Sequence, residues 1–179
     1  MLYFAYGSNM PRAMIEQRVG PCERVGIAYL DGYSLRFHKK SVIDYSGKCD
    51  AYRTGDPNDR VWGAIYRLTE DQIVRMDELE GPGYRCAAVR TMLGGRVVEA
   101  DLYLAEPDYV KPDLPPFEGY KACVLAGARE LGLPKEYVEA IEAVPSMADP
   151  DQGDRVNETS IRTRRSTSNA RYRRTPDTR

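Results

Sequence analysis

The sequence predicts an α+β protein: a small mixed, mostly antiparallel β-barrel with flanking helices. Three observations predict it. Apolar and β-branched runs bounded by Gly, Pro and Asp crowd the middle of the chain. Helically spaced runs interrupt them at intervals instead of following every strand. Neither internal repeats nor heptads occur, which leaves one sheet curled around one core.

Each element has a local reason. LYFA reads as a strand ending in the Gly7-Ser8-Asn9 corner, and PRAMIEQRV reads as a helix with Pro11 at a first helical position and Ser8 or Asn9 as N-cap. CERVGIAYL and YSLRFH read as two strands joined by the turn dipeptide Asp31-Gly32. Polar residues from Lys39 to Asp59 predict a long loop or irregular ribbon. RVWGAIYRL is the next strand, and Thr69 with Gln72 matches a capping box opening a helix that Gly81-Pro82-Gly83 ends. YRCAAVRTML and RVVEADLYLA predict a hairpin across Gly94-Gly95. EPDYVKPDLPPFEG is too proline-rich for regular structure, and two helices close the body, with Gly132 as stop and Pro134 as restart.

The chain has 179 residues, 42% of them hydrophobic, enough for one sizeable core in one domain over residues 1–150. Residues 151–179 differ in kind. Eight Arg against three acids between Asp154 and Arg179 give that stretch a charge of +5, while residues 1–153 carry −6. Rich in Ser, Thr and Arg, and without amphipathic period, it predicts a mobile basic tail whose sharper alternative is weak contact with nucleic acid or another polyanion. No apolar run approaches the roughly 20 residues a bilayer span needs, and the N-terminus lacks a basic and then apolar leader, so a cytoplasmic protein without membrane contact is expected. Cys22, Cys49, Cys86 and Cys123 lie far apart and predict free thiols.

Candidate chemistry narrows to two places. A strand-to-helix corner built on Gly7-Ser8-Asn9 gathers unpaired backbone amides, a ready site for an anion, although an ordinary capped turn would read the same. In the helix after Thr69, Glu80 falls seven residues after Ile73 and so returns to the apolar face, while Asp77 and Glu78 fall largely on other faces. Partial burial there raises a carboxylate toward the range useful for proton transfer; fraying at the GPG sequence would leave it exposed. A nucleophilic dyad would need His38, the one histidine, whose Lys39-Lys40 surroundings read as a solvated strand end. No phosphate-binding glycine motif and no metal-ligand spacing is present.

Taken in order, FAYGSNM, VWGAIYRL, MDELEGPGYR, DLYL and YKACVLAGARELGLPKEYVEAI resemble the γ-glutamylcyclotransferase family and its AIG2-like relatives over about residues 1–147. The resemblance implies an enzyme of acyltransferase or lyase type that converts a γ-glutamyl amine or peptide to 5-oxoproline and free amine, with no cofactor and with a homodimer left open. It implies Glu80 as general acid/base. It also implies a substrate loop of Tyr3, Phe4, Ala5, Tyr6, Gly7, Ser8 and Asn9, a substrate-contacting Tyr103, and pocket tyrosines Tyr84 and Tyr120. A γ-glutamyl group carries its own nucleophile, the α-amine, so no Ser or Cys is required and one carboxylate can serve as proton carrier. A non-catalytic binding module with a polyanion-contacting tail, and a γ-glutamyl hydrolase or acyltransferase, are the alternatives.

Overall fold

The structure, a computed structural model, describes residues 1–150 and the two-residue strand Thr175–Pro176. The rest of the basic tail, with its expected mobility and polyanion contact, lies outside the described residues. In chain order the elements are β1 (Leu2–Ala5), α1 (Arg12–Val19), β2 (Glu23–Asp31), β3 (Tyr33–Lys40), β4 (Gly47–Arg53), β5 (Arg60–Arg67), α2 (Glu70–Glu80), β6 (Tyr84–Leu93), β7 (Arg96–Ala105), α3 (Glu118–Glu130), α4 (Lys135–Ala143) and β8 (Thr175–Pro176). A single 3₁₀ turn, Pro107–Tyr109, is the regular part of the proline-rich stretch.

Strands β2-β5-β1-β7-β6 lie side by side, and β6 returns to β2 through Ala28↔Leu93 and Tyr29↔Met92, closing a five-stranded barrel. Every pairing in it is antiparallel except β1 with β7, which meet in parallel at Tyr3↔Asp101. Past the seam with β2, β6 pairs instead with β8, in parallel, at Ala87 and Ala88. The barrel core holds Phe4, Ile65, Leu102 and Val61, all essentially inaccessible, each contributing about 1.5–3 kcal/mol of burial free energy. Gly63 lets β1 come close: a Cβ there would lie 2.2 Å from the Ala5 carbonyl oxygen.

The two expected strands are present on either side of Gly32, but they do not pair with each other. β2 stays in the barrel, while β3 pairs with β4 in a separate two-stranded sheet, and Gly32, with φ of +80°, turns the chain from one to the other. The expected irregular ribbon from Lys39 to Asp59 therefore contains a real strand, β4. Its apolar signal is weak because Cys49, Asp50 and Ala51 are buried by the neighbouring barrel instead of by an alternating apolar face. His38 and Lys39 are not a solvated end either; each is 4% exposed. His38 Nε2 lies 2.8 Å from Asp50 Oδ2, and Asp50 Oδ1 accepts from the Ala105 amide at 2.8 Å, which ties the small sheet to β7.

At the helix starts the outcome is mixed. Thr69 and Gln72 form the capping box at α2, with Gln72 N donating to Thr69 Oγ1 at 3.2 Å. At α1, however, Pro11 occupies the N-cap and no side chain caps the helix, so neither Ser8 nor Asn9 has that task. Their corner is clamped from outside by α3, where Gly127 permits contact: a Cβ there would lie 2.6 Å from the Met10 Cβ.

Candidate active site

A cavity opens where the end of β1, the following corner, the end of α2, and strands β4, β6 and β7 converge. Its lining is Tyr3, Tyr6, Gly7, Ser8, Asn9, Cys49, Glu80, Tyr84, Tyr103 and Tyr120. Nine of these ten are expected site residues, Cys49 being the addition. Phe4 and Ala5 are not among them; alternation along β1 sends Phe4 into the barrel core, and the Ala5 carbonyl packs against Gly63. A larger open depression beside Arg12, Pro21, Cys22, Glu23 and Arg24 encloses no buried acid.

Glu80 is the last residue of α2, and the capping box at the other end with Ile73 and Met76 in the core sets the helix rotation that turns it inward. Its side chain is 15% exposed. Asn9 Nδ2 donates to Glu80 Oε1 at 2.9 Å, and Arg18 Nη1 from α1 reaches the same oxygen at a long 3.4 Å. Burial pushes the Glu80 carboxyl above the ordinary glutamate range, against the opposing pull of Arg18, the Asn9 hydrogen bond and the Lys39 charge. Desolvation wins.

Asn9 sits at the hub. Besides Glu80, its Nδ2 donates to the Tyr3 hydroxyl at 2.9 Å, and its Oδ1 is the one buried side-chain polar atom among the described residues without a hydrogen-bond partner. Leaving a buried acceptor unpaired costs about 1–3 kcal/mol. The amides of Gly7, Ser8 and Asn9 likewise make no hydrogen bond to any described residue. The corner thus presents donors, and Asn9 an acceptor, around one carboxylate.

The tyrosine hydroxyls are mostly spoken for. Tyr84 donates to the Cys49 carbonyl at 2.5 Å, Tyr6 to the Tyr103 carbonyl, and Tyr103 to Asp77 Oδ1 at 2.5 Å, while Tyr120 accepts from the Cys49 amide at 3.1 Å. These contacts lock the rings as walls. Burial raises the Tyr6, Tyr84 and Tyr120 hydroxyls well above their usual range, so they stay protonated. Asp77 does not face away as expected. Three residues before Glu80, it is half-buried and takes the Tyr103 proton donor. Arg18, Asp77 and Lys39 were all missed by sequence reasoning; for Arg18, 62 residues from Glu80, the packing of α1 on α2 is what makes the contact, and no local motif announces it.

The pattern of the family described as gamma-glutamyl cyclotransferase, AIG2-like, matches residues 3–122. The chain belongs to this family. It is an enzyme of the γ-glutamylcyclotransferase type. The gamma-glutamylcyclotransferase of Mus musculus is 31% identical over 151 residues, covering 80% of this chain and 78% of the mouse protein, and that of Homo sapiens is 30% identical over the same shares. A solved structure of a gamma-glutamyl cyclotransferase superposes with a TM-score of 0.74 at 26% identity, covering 89% of this chain and 98% of its own. No helix among the described residues is long and apolar enough to cross a membrane, and none of their His, Cys, Asp and Glu side chains form a group of three able to hold a metal ion.

Proposed function

We propose that the protein converts a γ-glutamyl compound to 5-oxoproline and a free amine, with Glu80 as the single proton carrier. One observation carries this reading: a desolvated carboxylate of raised pKa faces a tyrosine-walled cavity beside the free amides of the Gly7-Ser8-Asn9 corner. The α-ammonium of the substrate sits between Glu80 and the unpaired Asn9 Oδ1, which supplies the acceptor's missing partner. Glu80 takes one proton from that ammonium, and the freed amine attacks the γ-carbonyl carbon to form the five-membered ring. The developing oxyanion is met by amides at the corner, helped by the positive end of α1. Collapse breaks the C–N bond to the leaving amine as Glu80 gives its proton to that nitrogen; the second proton, shed by the ring nitrogen as it becomes the lactam N–H, passes through the same carboxylate to the departing amine, which leaves as an ammonium with Glu80 as it began.

Burial of the site excludes water, and the rigid tyrosine walls fold the substrate back on itself, which favours ring closure over hydrolysis. The test is product analysis with a panel of γ-glutamyl amino acids, γ-glutamyl amines and glutathione. 5-Oxoproline in step with free amine is the expected outcome. Free glutamate would mean that water is the nucleophile and would reject the cyclisation.

A further inference from the structure

A hydroxyl that has given its hydrogen away can only accept, and the cavity tyrosines divide on that ground. Tyr3 accepts from Asn9 Nδ2 at 2.9 Å and keeps its own hydrogen, as does Tyr120, which accepts from the Cys49 amide at 3.1 Å. Tyr6 and Tyr84 give theirs to backbone carbonyls. Of the five, only Tyr103 gives its hydrogen to a side-chain carboxylate, Asp77 Oδ1, at 2.5 Å. Burial and that bond both hold the phenol in its protonated form. A hydrogen bond to a carboxylate is roughly twice as strong as one between neutral groups, and it polarises the donor, so the lone pairs of the Tyr103 oxygen become better acceptors.

Place in the site decides what those lone pairs meet. Asp77 lies three residues before Glu80 on α2, so the two carboxylates are neighbours along one side of the helix. The Tyr103 ring stands edge-on to Tyr3 at 5.9 Å, and the Tyr3 hydroxyl is bound by the same Asn9 Nδ2 that holds Glu80. A substrate ammonium has three hydrogens to place. Glu80 and the unpaired Asn9 Oδ1 take two of them. For the third, Tyr6 and Tyr84 are anchored on strands β7 and β4, whereas Tyr103 is anchored on the turn of α2 that carries Glu80. We propose that Asp77 is a positioning residue: by taking the Tyr103 hydrogen it fixes the Tyr103 oxygen as the third acceptor of the α-ammonium, so that binding, and not only ring closure, depends on that ammonium. Without Asp77 the hydroxyl is free to turn its hydrogen into the cavity, where it opposes the cation. This rests on the cyclisation proposed above, which sets the ammonium beside Glu80.

The experiment compares γ-glutamylalanine with glutarylalanine, which keeps both carboxylates and the amide but lacks the α-ammonium. Binding is measured by titration calorimetry in the Glu80→Gln background, where turnover is slow. Asp77→Ala should weaken γ-glutamylalanine about tenfold and leave glutarylalanine within about twofold; Asp77→Asn, whose amide oxygen still accepts, should recover part of the loss. Tyr103→Phe should cost γ-glutamylalanine a similar factor, and Asp77→Ala added to it should change nothing further. Thermal melting checks that each variant folds, and should Asp77→Ala not fold, Asp77→Asn carries the same comparison. Equal losses on the two compounds would make Asp77 a structural support only and overturn the assignment. No loss on either, a full second loss in the Tyr103→Phe background, or equal affinity of the Glu80→Gln protein for the two compounds would overturn it as well. If wild type released no 5-oxoproline while Asp77→Ala still selectively weakened γ-glutamylalanine binding, the cyclisation would fail and the Asp77 assignment would stand.

Discussion

Asp50 and Glu80 are both drawn out of water beside a basic side chain, and they are provided for differently. Asp50 has both oxygens met at 2.8 Å, one by His38 Nε2 and the other by the Ala105 amide. Glu80 has one oxygen shared between Asn9 at 2.9 Å and Arg18 at 3.4 Å, and it lines a cavity. The first arrangement spends its charge on joining the β3–β4 sheet to β7. The second leaves lone pairs and a desolvated charge available to a ligand. A complete set of partners makes a buried acid structural; an incomplete set, facing space, makes it reactive.

The comparison breaks most directly at Glu80. Glu80→Gln is expected to lower kcat about 10²- to 10⁴-fold with the fold intact, because the amide keeps shape and cannot carry the proton. Turnover within a few-fold of wild type would remove Glu80 from the chemistry. Asp50→Ala should behave oppositely. Removing one partner of a buried pair costs about 3–5 kcal/mol of stability, read as a lower urea midpoint, while kcat per folded molecule stays close to wild type. A large loss of kcat without loss of stability would place Asp50 in the reaction.

A smaller effect is expected at Gly7. A Cβ there would lie 3.1 Å from the Cys49 Cβ, on a strand with little room to yield, and 3.6 Å from the Tyr120 hydroxyl. Gly7→Val should therefore raise KM on the order of tenfold through crowding at the corner, with a stability loss of about 1–3 kcal/mol. Steady-state kinetics and thermal melting together check it; an unchanged KM would make the corner a turn and nothing more.

The smallest effect is a pH linkage. The Glu80 pKa in the folded protein is raised above its unfolded value by desolvation. Between those two values the folded state binds more protons, so the contribution of Glu80 to stability is fully present below the unfolded pKa and is lost as pH rises through the folded one. Glu80→Gln should accordingly be the more stable protein near neutrality, the difference vanishing in acid. In activity the same group gives a limb that falls as pH drops and the base is protonated. Melting curves across pH that stay parallel for the two proteins would contradict the raised pKa.

Much of this was legible in the chain order. Strand ends at Arg67 and Leu93, the Thr69–Gln72 capping box and the restart at Pro134 are written in local chemistry, since capping and turn residues act over three or four positions. Helical period put Glu80 on the apolar face but left open fraying at the GPG sequence; in the structure α2 runs through Glu80 and its side chain is 15% exposed. Local rules also had limits: Asp31-Gly32 looks like a hairpin turn and is instead a corner between two sheets, because which strand β2 pairs with depends on β5 and β6, not on its neighbour in sequence.

By itself, then, the sequence determined the type and bounds of most elements, the barrel class, and the helix face on which Glu80 lies, all consequences of periodicity and turn chemistry within a few residues. Only the tertiary structure decided the rest. It moved Phe4 and Ala5 off the site, brought Arg18 to Glu80 and Asp77 to Tyr103, buried His38 with Asp50, and left Asn9 Oδ1 without a hydrogen-bond partner among the described residues. Those outcomes rest on contacts between groups tens of residues apart, and whether a buried charge is satisfied is a property of the space around it, which no stretch of sequence contains.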